Sequence, residues 1–184
     1  MTPQPAKPRV LVVDDRPANR LAFKTLLDPQ YTVVLAENGH EALKRALEQE
    51  FAVILLDVRM PGMDGFETAE LLRKRESMRY TPIVFMSAYD KNDLQAKKGY
   101  IAGATDYLFS PVDEDLLKFK VATYAQIYLK NEDLRLQIHE LQESVQALRF
   151  ELSLTCPTPL VQSKMTILGR QIDSLQRQLN EQLV

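Results

Sequence analysis

With 184 residues, 45% of them hydrophobic and 26% charged, the chain has the make-up of one folded domain plus an appendage, not of a disordered segment. A net charge of −2 and the lack of a basic stripe exclude binding to nucleic acid by phosphate neutralisation. The single cysteine, Cys156, excludes an intrachain disulfide and a cysteine-rich metal site, and with no signal-peptide core and no membrane-length apolar run the expected location is the cytoplasm.

Residues 1–8 are proline-rich and read as a disordered tail. From Arg9, strand-like apolar runs alternate with amphipathic helical patterns, the mark of a doubly wound parallel α/β sheet. Strands are expected at 9–13, 31–36, 52–56, 82–86 and 104–109. Helices are expected at 17–28, 39–50, 64–75, 91–102 and from 113 onward. Pro17 suits a first helical turn, where its missing N–H is no loss. Asp64 is placed to cap the third helix, and Pro61-Gly62 reads as the centre of a type II turn.

Past Pro111 no strand pattern returns. One helical pattern continues to about Ser153, and its apolar residues settle into a heptad seam. Leu134, Leu141 and Leu148 fall at d, with Ile138, Val145 and Leu152 at a, and Asn131 at an earlier a. Branched residues at a over Leu at d favour a parallel two-stranded coiled coil, and one buried Asn at a fixes register. The expected division is therefore a domain over 9–130, a homodimerising coiled-coil helix over 131–155 and a second helix over 156–184. Pro157 and Pro159 break the pattern between the two helices. The second helix carries Gly169 at its middle and either folds back or continues the stalk.

Four strand patterns run into polar residues: Asp14-Asp15, Asp57, Ser87 and Ser110-Pro111. Ligands of parallel α/β sheets bind outside the carboxyl ends of the strands, so these residues share one crest. A carboxylate there can accept a phosphoryl group as an acyl phosphate. Three neighbouring carboxylates call for a divalent cation, and Mg²⁺ suits an all-oxygen set. Taken singly, each residue is ordinary, since Asp after a strand often caps a helix or forms a turn.

The constellation is more specific. Asp14-Asp15, the stretch from Asp57 through Met60-Pro61-Gly62 to Asp64-Gly65, Ser87-Ala88, and Asp106-Tyr107-Leu108 to Pro111 occur in the order and spacing of response regulator receiver domains, which this chain resembles over about two-thirds of its length. The resemblance implies a flavodoxin-like five-stranded sheet of order 2-1-3-4-5, with Asp57 as phospho-acceptor. It implies Mg²⁺ on Asp15 and Asp57, with Asp14 acting directly or through water and the Arg59 backbone carbonyl completing the set. It further implies that Ser87 is the switch hydroxyl, that Tyr107 is the aromatic switch, and that a sensor histidine kinase or phosphotransfer protein is the donor. The Ser110-Pro111 bond is expected to be cis.

One position departs from the family: Ser110 stands where a lysine normally precedes the proline. Serine offers a shorter, neutral donor, and losing a charged hydrogen bond of about 1.5–3 kcal/mol weakens ordering around the phosphoryl group. Lys91, in the loop after Ser87, is the candidate cation for part of that role. His139-Glu140-Leu141 matches three residues of the phosphohistidine box of sensor kinases but lacks the Arg-Thr-Pro that follows there. No catalytic cluster follows Pro111, so the chain reads as a phospho-acceptor and not as an enzyme. The rival readings are a phosphorylation-independent docking or dimerisation scaffold, silenced by Ser110, and the regulatory front of a longer output enzyme.

Overall fold

The structure, a computed structural model, describes residues 7–88, 102–154 and 159–182. The chain divides into two compact units, Met1–Tyr128 and Leu129–Val184. In the first, five strands form one parallel sheet: β1 (Arg9–Val13), β2 (Thr32–Ala36), β3 (Val53–Asp57), β4 (Ile83–Ala88) and β5 (Asp106–Ser110). Their order is β2-β1-β3-β4-β5, as expected. The register sets Val13 beside Leu56 and Ala36, Asp57 beside Met86, and Ser87 beside Phe109. Strand ends that carry polar residues therefore line up at one edge.

Helices α1 (Pro17–Leu27), α2 (Gly39–Glu48) and α3 (Gly65–Arg73) connect the strands, and a single 3₁₀ turn spans Glu76–Met78. The long helix α4 (Glu114–Leu154) follows β5, and α5 (Pro159–Gln182) comes last. The helix expected at 91–102 falls almost wholly outside the described residues. The central strands β1, β3 and β4 are apolar on both sides, because helices cover both faces. Leu11, Val13, Ile54, Leu56 and Phe85 point to one face, where they meet Ala42 and Ala46 of α2 and Ala69 and Leu72 of α3. Val10, Val12, Val53, Leu55 and Val84 point to the other, against Leu27 of α1 and Leu117, Val121 and Ala125 from the start of α4. The two-residue alternation of the strands selects which helix each side chain meets.

Local signals explain the boundaries. Pro17 opens α1. The side chains of Asn38 and Asp64 accept from the N–H groups of Glu41 and Glu67, at 2.9 and 2.8 Å, and so cap α2 and α3. Gly62 has φ +78°, which its turn requires. The Ser110-Pro111 peptide is cis.

In the second unit Val145 and Ile172 are buried, while Leu141 and Leu148 are about half exposed. Asn131, Leu134 and Ile138 are partly covered. Among the described residues no helix is long and apolar enough to cross a membrane.

Candidate functional site

Three carboxylates meet at the carboxyl edge of the sheet. Asp14 and Asp15 follow β1 directly, and Asp57 is the last residue of β3, the neighbouring strand. An oxygen of each lies within 4.8 Å of the others. Asp14 is buried, and Asp15 and Asp57 are partly so. The burial of Asp14 is balanced by hydrogen bonds: the Arg16 N–H donates to Oδ1 at 2.8 Å and the Asn19 side chain to Oδ2 at 2.9 Å. The Arg20 guanidinium donates to its backbone carbonyl at 2.6 Å. Asp57 has less support, an N–H from Arg59 at 3.2 Å.

Burial pushes the Asp57 carboxyl up from the ordinary aspartate range, and Asp14 and Asp15 push it the same way. The backbone donors of Arg59 and Val58 pull against them without winning. Ionised Asp57 is thus disfavoured unless positive charge arrives. Gly65 holds the acceptor strand close, since a Cβ there would collide with the Asp57 carbonyl oxygen, and its N–H donates to the Val58 carbonyl at 3.0 Å.

The expected site residues fall into two groups. Asp14, Asp57 and Ser110 line one pocket, together with Arg16, Asn19, Arg59, Met86 and Pro111. Ser87, buried on β4, is one strand over from Asp57. Tyr107 lies in the interior at 5.6 Å from Phe85, ring centre to ring centre, and stacks at 6.1 Å on Phe109, which is 47% exposed. Phe85 in turn meets Phe66 of α3 edge-on at 5.1 Å. An aromatic file therefore runs from the helix after Asp57 to the surface beside Ser110. Lys91 lies outside the described residues.

The donor set fits a small hard cation. Opposite ligands of an octahedral Mg²⁺ are about 4.2 Å apart, so three carboxylate oxygens within 4.8 Å need only small side-chain shifts to share one ion.

Sequence reasoning missed several contributors. Asn19 and Arg20, in the first turns of α1, hold Asp14 in place, and only their position just after the strand hinted at it. Asp106 is bound by Lys120 and, at 3.4 Å, by the Tyr124 hydroxyl, tying β5 to α4. The helical pattern from 113 onward carries no sign of this pair.

A family model of the response regulator receiver domain matches residues 10–122. The sensor histidine kinase GacS of Pseudomonas protegens is 38% identical over 130 residues, 68% of this chain and 14% of that protein. The response regulator PleD of Caulobacter vibrioides is 38% identical over 128 residues, 69% of this chain and 28% of that one. The chain thus spans well under a third of the length of these curated relatives. Among solved structures, the receiver domain of the sensor histidine kinase PA1611 from Pseudomonas aeruginosa, with a magnesium ion coordinated in its active site cleft, superposes with a TM-score of 0.61 at 28% identity, covering 66% of this chain and 99% of that one.

Proposed function

The chain belongs to the response regulator receiver family of two-component signalling, and from that premise we propose that Asp57 is its phospho-acceptor. The observation that carries the proposal is the cluster of Asp14, Asp15 and Asp57 at the carboxyl edge of the sheet, with the Asp57 carboxyl pushed up by burial and by its two acidic neighbours. Asp15 and Asp57 hold Mg²⁺, helped by Asp14 and the Arg59 carbonyl. When bound, the ion neutralises negative charge on the carboxylates and on phosphoryl oxygens. An Asp57 oxygen forms a bond to phosphorus as the bond from phosphorus to a histidine nitrogen of the donor breaks. The electron pair leaves with that nitrogen, and the phosphoryl group remains as an acyl phosphate. The donor is a sensor histidine kinase or a phosphotransfer protein.

Ser87 donates its hydroxyl to a phosphoryl oxygen, and Tyr107 responds through the aromatic file. Helix α4 carries the change onward, because it is one helix from the sheet's cover at Leu117 to Leu154. Leu141 and Leu148 pair with a second copy in a parallel coiled coil over 131–155, following the domain at 9–130 and preceding a second helix in 156–184. Sedimentation at tens of micromolar tests the dimer, and a monomer there contradicts it.

Ser110 favours a second reading, a phosphorylation-independent docking or dimerisation scaffold. Incubation with phosphoramidate and Mg²⁺ separates the two. The acceptor reading expects wild type to gain one phosphoryl group and Asp57→Asn none, and the scaffold reading expects neither to gain.

A further inference from the structure

The pocket over Asp57 is lined by the carboxylates of Asp14 and Asp57, with Asp15 clustered beside them, and by Ser110, a neutral hydroxyl at the end of β5. A phosphoryl dianion entering such a site needs positive charge beyond a single divalent ion. The helix after β5 does not provide it, since Lys120 is committed to Asp106. Arg20 is committed as well, to the Asp14 carbonyl.

Two other arginines, Arg16 and Arg59, are among the residues that line the pocket. Each is anchored by its own main chain to a candidate carboxylate: the Arg16 N–H to Asp14 and the Arg59 N–H to Asp57. The two residues therefore follow the ends of neighbouring strands, β1 and β3, and border the same pocket. Both residues are exposed, and among the described residues neither side chain enters an ion pair. A guanidinium held at a pocket of like-charged carboxylates, yet bridged to none, is available for a ligand.

We propose that Arg16 and Arg59 form a two-sided cationic clamp on the phosphoryl group of Asp57, supplying the charge that Ser110 does not. The inference rests on the acceptor role of Asp57. Planar guanidinium forks donate in pairs to phosphoryl oxygens, and a charge-assisted pair is about twice as strong as a neutral hydrogen bond. Two arginines offset most of the charge that the three carboxylates bring. They also contact only the phosphoryl oxygens, so they act during transfer and in the phosphorylated state while leaving the ion's own ligands untouched. Substituting the Arg59 side chain leaves its backbone carbonyl in place.

The test uses the full chain with phosphoramidate as donor, whose nitrogen–phosphorus bond breaks as ammonia leaves. Initial rates of phosphoryl incorporation are read by intact mass for wild type, Arg16→Gln, Arg59→Gln, the double variant, and the double variant with Ser110→Lys. Mg²⁺ affinity is measured on each by calorimetry. Each single change is expected to slow incorporation about ten-fold and the pair more than either, with Mg²⁺ binding no weaker than wild type. Ser110→Lys is expected to restore at least part of the double variant's loss. Arg→Lys at each position keeps the charge without the fork and is expected to fall between wild type and Gln. A double variant that labels at the wild-type rate overturns the clamp and leaves Asp57 as acceptor. So does a slowed variant whose Mg²⁺ affinity falls in step, since that marks a structural role. A wild type that takes no phosphoryl group overturns the acceptor reading, and the clamp with it.

Discussion

Two regions of the same domain hold charge away from bulk water and treat it in opposite ways. At the amino edge of the sheet, the Arg73 guanidinium is largely covered and, among the described residues, forms no ion pair, and burial pulls its pKa down to about 10. It is nonetheless well engaged, with four hydrogen bonds. It donates twice to the Gly103 carbonyl, at 3.1 and 2.8 Å, and once each to those of Met78 and Thr81, at 2.9 and 2.7 Å. Those carbonyls lie in the segments that lead into β4 and β5, so one side chain fixes the start of both strands. At the carboxyl edge, three carboxylates crowd together and Asp57 is met by backbone N–H groups alone, that of Arg59 at 3.2 Å and that of Val58. Arg73 is satisfied and structural. Asp57 is under-satisfied and waits for a ligand. A buried charge with all its partners supplied by backbone reads as architecture, whereas like charges left to repel one another read as a site.

The largest effect expected is at the satisfied charge. Arg73→Met takes a donor from three carbonyls, of which that of Met78 keeps the Thr81 N–H at 3.3 Å, and at about 1–3 kcal/mol for each that is left dry, urea denaturation should show a loss of about 3 kcal/mol or more. Mg²⁺ affinity at the far edge should be unchanged in the folded protein. A loss under about 0.5 kcal/mol would mean that water replaces Arg73 freely and the contrast is weaker than drawn.

At the crest the expected effect is smaller and opposite in sign. Mg²⁺ at a hundred times its dissociation constant should stabilise wild type by about 2.7 kcal/mol, and Asp57→Asn should lose most of that gain. In chelator, Asp57→Asn should be the more stable protein at neutral pH. The sign follows from the raised Asp57 carboxyl: the folded state disfavours its ionised form, so wild type loses stability as pH rises through that raised value. The advantage of the Asn variant should therefore open with rising pH and close in acid. Equal stability of the two at every pH would show that the three carboxylates do not feel one another.

Asp106 lies between these extremes, a part-buried carboxylate that has found its cation in Lys120. Asp106→Asn should cost about 1.5 kcal/mol in thermal unfolding, with Lys120→Met costing a similar amount. The double variant should cost less than the two singles added, because the pair is then absent from both sides. Simple additivity would mean the two residues act separately.

The fold was legible because both of its periods are strong. Strand 9–13 was placed to the residue, and the others within two residues, because near-continuous Val, Ile and Leu runs bounded by Asp, Ser and Pro leave few alternatives. The strands at 53–57 and 83–88 run slightly further than their apolar stretches, so Asp57 and Ser87 sit on the sheet itself rather than beyond it. Hydrophobicity marks where a strand is buried, not where its hydrogen bonding ends. Sheet order came from the family likeness alone, since periodicity carries no information on which strands are neighbours. The crest carboxylates were visible for the same reason as the strands, by standing at their ends. Arg73 was invisible: it is one basic residue in the run Arg73-Lys74-Arg75, and nothing in the sequence says which of them turns inward toward carbonyls five, eight and thirty residues away. Arg16 and Arg59 look equally like solvated surface charges until the fold brings them to the pocket that Asp57 lines.

The most direct test of the central claim is to trap the acyl phosphate where it forms. The full chain is incubated with phosphoramidate and Mg²⁺, reduced with borohydride, digested and read by peptide mass spectrometry. The account predicts reduction of the side chain at Asp57 alone, dependent on Mg²⁺. A label at Asp14, Asp15 or His139, or no label while Mg²⁺ is bound, would contradict it.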